Sequence, residues 1–276
     1  ISISVNAEPN EAPVADAGAD QTIQIPHDGN PNTSDIMVNL DGSGSYDSDG
    51  DDLTYDWPTN SIQQGIDFDG IDDYILIPNH NSLQVDETFS ISAWIYPMNG
   101  GSSSWHGSRP VVTKSGPYND GIGQNINYYL GWKTDGTIVF GFEEHNPGHD
   151  HITVSPPSVS VNTWSHVVCT YDNASLNIYV NGSLVKTEEI GSFTPGTGTH
   201  PVGIGAATNA SGNLLGGRFN GKIAEVRIFN TALPSSTISS TLYNSGNNYT
   251  NAVGNEVGYW KFDEGDGMIL TDQTSY

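Results

Sequence analysis

The stretch FDGIDDYILIP, beginning at Phe68, sets Asp69, Asp72 and Asp73 among small and aromatic residues at the head of a strand-like alternation. Carboxylates are hard oxygen donors, so such a cluster either faces water as a solvated strand end or holds a cation such as Ca2+. Strand period two sends Asp72 and Asp73 to opposite faces, so at most one of that pair is expected to join Asp69. A second cluster, DSDGDD, spaces Asp47, Asp49 and Asp51 at i, i+2 and i+4 around Gly50. That spacing suits a Ca2+ loop without the bidentate Glu at its twelfth position, or a plain tight turn. A third, EEHNPGHDH, offers Glu143, Glu144, His145, His149 and His151. An H-x-H pair on a strand puts both rings on one face, which suits zinc or a polar hairpin tip.

Two Gly-rich loops carry groups of another kind. NGGSSSWHGSRP presents Trp105 and His106, and SGPYNDGIGQN presents Tyr118, Asn119 and Asp120. A ring beside polar groups is what a sugar site requires, although such loops also serve simply as caps on a β-sandwich. No G-x-S-x-G elbow, P-loop or H-E-x-x-H occurs.

Charge bounds the partners. With 8 Lys plus Arg against 32 Asp plus Glu, the formal charge is -24. Cations or salt relieve that self-repulsion, whereas a polyanion such as nucleic acid is repelled. Apolar content of 35 % with 32 glycines and 15 prolines fits a folded β protein better than a disordered acidic tail. No apolar run approaches the length of a membrane span. The single cysteine, Cys169, lies in the apolar run HVVCTYD and is expected to be a buried small hydrophobe. Sequons at Asn32, Asn173, Asn181, Asn209 and Asn248 fit a secreted, extracellular protein. The opening ISISVNAEPNEAP starts inside an alternation without Met, as a processed piece would.

Strand-like runs bounded by turn residues recur from IMVNL to VGYWKF, which predicts an all-β antiparallel sandwich. TDGT around Asp135 and VNGS around Asn181 carry the residues that tight hairpins need. Leu176, Ile178 and Val180 then share one face and Asn177 and Tyr179 the other. The one credible helix is LPSSTISSTLYN, with Pro234 in its first turn and Ile238 and Leu242 four apart.

The ordered motifs GIDFDGIDDYILIP, FSISAWIYP, VVTKSG, YYLGWKTDGTIVFGF, NTWSHVVCTYDNASLNIYVNGSLV and FNGKIAEVRIFNTALPSSTI resemble the laminin-G-like domain of the concanavalin A-like lectin/glucanase superfamily, over roughly residues 63 to 242. The segment from NEAPVADAGADQTI to LTYDW is similar to the first half of a PKD-type, immunoglobulin-like module, and ISISVNA to the last strand of one. The expected division is a partial PKD-like segment over 1–60 and a concanavalin A-like jelly roll over 61–276. VGYWKFDEGDGMILTDQ resembles the opening strand of a laminin-G-like repeat, placed after the body of one.

The resemblance implies a structural Ca2+ at Asp69, Asp72 and Asp73. Relatives commonly carry Asp-Glu before VRI, where this chain has Ala224 and Glu225, so Glu225 or backbone carbonyls are left to complete the shell. Glucanases of the superfamily place catalytic carboxylates as E-x-D-x-x-E; here the nearest run, Glu264-Gly265-Asp266, meets Ile269 where the second Glu should stand. The expectation is therefore a non-catalytic, calcium-stabilised adhesion or binding module for a glycan or surface-protein ligand. The alternative is a structural subunit of an extracellular filament, self-assembled by strand donation from ISISVNA or VGYWKF.

Overall fold

The computed structural model describes residues 13–16, 41–50, 52–53, 65–114, 126–144, 149–208, 214–243, 253–262 and 270–274. Contacts divide the chain into two units, Ile1–Thr59 and Asn60–Tyr276. In the first, Val14 and Tyr46 form an antiparallel bridge through backbone hydrogen bonds of 2.8 and 3.1 Å. ISISVNA and Asp51 lie outside the described residues.

The second unit is built of strands β1 (Ile66–Asp69), β2 (Ile75–Ile77), β3 (Phe89–Pro97), β4 (Arg109–Lys114), β5 (Tyr128–Trp132), β6 (Ile138–Glu143), β7 (Asp150–Val154) and β8 (Ser165–Tyr171). They are followed by β9 (Ser175–Val180), β10 (Ser183–Glu189), β11 (Val202–Ile204), β12 (Ala206–Thr208), β13 (Leu214–Arg218), β14 (Asn220–Phe229) and β15 (Glu256–Trp260). One sheet runs β1-β14-β3-β8-β9-β10 with β15 also on β14; the other runs β2-β11-β4-β5-β6-β7; β12 and β13 form a hairpin. All pairings are antiparallel.

Period two explains how the sheets meet. On β3, Phe89, Ile91, Ala93 and Ile95 point into the main core, and Ser90, Ser92 and Trp94 to the opposite face. Phe89 joins the layers, with ring centroids 6.0 Å from Tyr171 of its own sheet and 5.6 and 6.3 Å from Phe140 and Tyr128 of the other. Cys169 is fully buried in this core. The hairpin β9–β10 turns at Asn181 and Gly182, with φ of 50° and 75°, the two positive values a type I′ turn requires. Leu176, Ile178 and Val180 face the core, and Tyr179 faces away.

Pro234 precedes a short helix, α1 (Ser235–Thr237), which continues as a wider turn through Ile238–Tyr243. Ile238 and Leu242 bury against Val168, Tyr179 and Phe229 on the outer face of the larger sheet. Beneath them Ser92 Oγ and His166 Nε2 lie 2.8 Å apart. The pair has the makings of a nucleophile and base, yet both residues are at most 2 % exposed. Burial and the Arg227 charge lower the His166 pKa to about 3, so this pair is packing rather than chemistry.

At the C-terminal end VGYWKF is no free donor. Its strand β15 pairs with β14 of the same chain, Val226 opposite Trp260 and Arg227 opposite Tyr259. β1 takes the other half of the same edge of β14, from Ile66 opposite Ile223 to Asp69 opposite Asn220. Between the two halves lies a bulge, where Glu225 adopts φ 52° and the register against β3 shifts.

Candidate functional site

β1 ends at Asp69, and Gly70 at φ 75° opens a turn that β2 closes. Asp72 and Asp73 therefore lie on a loop, where strand alternation no longer holds. Oxygens of Asp69, Asp72 and Asp73 all come within 4.8 Å of one another, correcting the expectation that only one of the pair could join Asp69. Among the described residues no other three carboxylate, imidazole or thiol groups come so close. The turn holds them there: Asp69 Oδ1 accepts from the N–H groups of Ile71 at 2.7 Å and Asp72 at 3.2 Å, and Asp73 Oδ2 accepts from Asp69 N–H at 3.0 Å. The Ile71 N–H bond is the main reason the Asp69 pKa falls below the usual carboxylate range. Gly70 is required, because a side chain there would meet Asn220 and the backbone of Gly101 at 2.8 to 2.9 Å.

Oxygens bound to one Ca2+ at about 2.4 Å can lie up to about 5 Å apart, so this spacing fits a single ion. The donors are hard, exposed and anionic, which favours Ca2+ over the softer metals. Arg218 stands alongside, its Nε donating to Ile71 O at 3.2 Å; no sequence motif marked it.

Glu225 does not join the cluster. The bulge turns it into a buried network in which Tyr259 Oη donates to its Oε2 at 2.7 Å and Arg227 Nη2 donates at 3.2 Å. Arg227 also donates to Glu256 at 3.0 Å and lies 3.9 Å from the Tyr259 ring centroid. Burial raises the Glu225 pKa to about 7, against the downward pull of Tyr259 and Arg227. Asp47 braces its own turn, accepting from Asp49 N–H at 2.8 Å. In the histidine insert, His149 and His151 reach the same carboxylate, Glu144, at 3.0 and 3.4 Å. Glu143 instead accepts from Ile126 N–H at 3.1 Å, and His145 lies outside the described residues.

The Trp105 loop differs from the sugar-stacking platform expected of it. Trp105 is 8 % exposed and packs edge-on against Tyr129 with centroids 5.0 Å apart. Ile126 and Val139 complete this cluster on the outer face of the smaller sheet. His106, at φ 50°, reaches the rim, where Nε2 lies 3.2 Å from Asp150 Oδ2, and both side chains stay about a third exposed. Tyr118, Asn119 and Asp120 lie outside the described residues.

Two packed antiparallel sheets, an aromatic core bridging them and an acidic turn at one edge define a lectin-type β-sandwich. The chain belongs to the concanavalin A-like lectin/glucanases superfamily, whose profile matches residues 69–239. No curated protein sequence matches it. Among solved structures it is similar to the CBM40 of a Ruminococcus gnavus IT-sialidase bound to α2,3-sialyllactose: TM-score 0.52, 14 % identity, over 64 % of this chain and 95 % of that one. A Bacteroides ovatus protein assigned as carbohydrate-binding matches at TM-score 0.52 and 18 % identity, over 75 % and 54 %. The NanB sialidase of Streptococcus pneumoniae matches at 0.51 and 17 %, over 64 % and 27 %. At these identities the likeness is one of fold.

Proposed function

We propose that the chain is a non-catalytic, calcium-stabilised extracellular module that binds glycans. The observation that carries the calcium reading is the convergence of Asp69, Asp72 and Asp73 within 4.8 Å on a turn braced by its own backbone. Those three residues would hold the ion with backbone carbonyls or water, and the ion would supply neutralising charge rather than a reaction step. Family membership and a fold shared with sugar-binding modules support the glycan reading. On this chain the groups suited to sugar hydroxyls are the exposed His106 and Asp150 at the rim, with Trp105 beneath them as a support. A charge of -24 disfavours anionic sugars, so the ligand class is neutral glycan.

Melting of the full chain in millimolar Ca2+ and in EGTA tests the metal site. A ligand at a hundredfold excess over its Kd stabilises the folded state by about 2.7 kcal/mol. The parent melt should rise by several degrees with Ca2+, and Asp69→Asn should lose the increment. Coincident parent melts in the two buffers would remove calcium from the proposal.

A further inference from the structure

Among the described residues β2 is the end strand of its sheet, paired only with β11. Beside its other side opens a cavity of about 520 Å³ whose walls include Ile66 of β1, Ile75 and Ile77 of β2, Trp260 of β15, and Leu270. Exposed apolar side chains line it or precede it in the chain: Tyr74 is 39 % and Leu76 37 % exposed among its lining residues, and Ile71, in the turn before them, is 74 % exposed. These are three of the six exposed large hydrophobics among the described residues, gathered within six positions. Such a concentration on one edge marks an interaction surface rather than scatter. Asp72 and Asp73 directly precede Tyr74, and Asp69 is gathered with them by the turn.

We infer that this edge binds an extended peptide by strand addition, the peptide alternating apolar with basic or neutral residues. The backbone of β2 supplies the hydrogen-bonding template on its open side. Every second side chain of an added strand points the same way, toward the Ile66–Trp260–Leu270 wall. The acidic turn and the charge of -24 select basic residues in the remaining positions. A sugar suits the groove less well: its walls are chiefly aliphatic, and Asp272, the carboxylate among the described lining residues, already accepts from Tyr259 N–H and Thr274. With three residues β2 can offer only a few backbone bonds, so the peptide is held weakly and reversibly. This surface is separate from the His106–Asp150 rim, and the inference stands independently of the glycan reading.

The test titrates the full chain into a fluorescein-labelled octapeptide, Lys-Val-Thr-Val-Lys-Val-Thr-Val, followed by anisotropy and by amide NMR shifts. Saturable binding is expected, with shifts centred on Ile75, Leu76 and Ile77. Backbone N-methylation of the peptide should weaken it about fivefold for each hydrogen bond removed. Replacing its lysines with glutamates should weaken it further, and Leu76→Lys should weaken it without moving the melt, because that side chain is exposed. Absence of saturable binding, equal binding of the N-methylated or glutamate peptide, or shifts elsewhere would overturn the inference. So would displacement of the peptide by a neutral oligosaccharide, which assigns the groove to sugar, or a dimer that blocks the edge, which assigns it to a second copy.

Discussion

Glu225 shows how far position decides the chemistry of one side chain. Beside an exposed turn it would be a metal ligand; inside the β14 bulge it shares one guanidinium, that of Arg227, with Glu256. Its folded pKa of about 7 stands above the ordinary 4.5, so the folded state binds the extra proton between those values. Stability from this group is therefore fully present below about pH 4.5 and is lost as pH rises through 7, by at most about 3 kcal/mol. Glu225→Gln keeps the hydrogen-bonding shape and abolishes the titration. Urea unfolding of parent and variant at pH 5 and pH 7.5 is expected to show a smaller pH dependence in the variant; identical pH dependence would mean that Glu225 ionises as freely when folded as when unfolded. Sequence reasoning could not reach this, since Tyr259 and Glu256 come from a strand about thirty residues further on. The adjacency of Glu225 to VRI suggested a ligand, and the φ of 52° turned it elsewhere.

At the scale of elements, alternation and turn chemistry made much of the sandwich legible. FSISAWIYP, SLNIYV and the Asn181–Gly182 turn behave as their patterns require, because strand facing and positive φ are properties of a few adjacent residues. The acidic turn was half legible: residue types marked the carboxylate cluster, but extending the strand past Gly70 divided Asp72 from Asp73. Whether the Trp105 loop is a sugar platform or a cap was not legible, for a different reason. Its ring is anchored by Tyr129 of β5, twenty-four positions away, and by Ile126 and Val139, which no local pattern announces. A buried tryptophan cut to alanine leaves a cavity and costs about 3–5 kcal/mol. Trp105→Ala should accordingly lower the melting midpoint by several degrees, read by circular dichroism; an unchanged midpoint would restore Trp105 to the surface as a sugar platform.

Over the whole molecule, acidic groups far outnumber basic ones, while the main core between the sheets is built of aliphatic and aromatic side chains. The acidic turn gathers three of those charges at one edge, so an ion bound there would relieve local repulsion while leaving the protein strongly anionic. Affinity electrophoresis of the full chain through gels cast with neutral polysaccharides, in Ca2+ and in EGTA and with reducing ends assayed in parallel, tests the central claim most directly. Retarded migration on at least one neutral polysaccharide is expected in Ca2+, weakened in EGTA and in His106→Ala, with no release of reducing ends. Migration unaffected by every polysaccharide in Ca2+, or cleavage of the one that retains the protein, would contradict a calcium-stabilised, non-catalytic glycan-binding module.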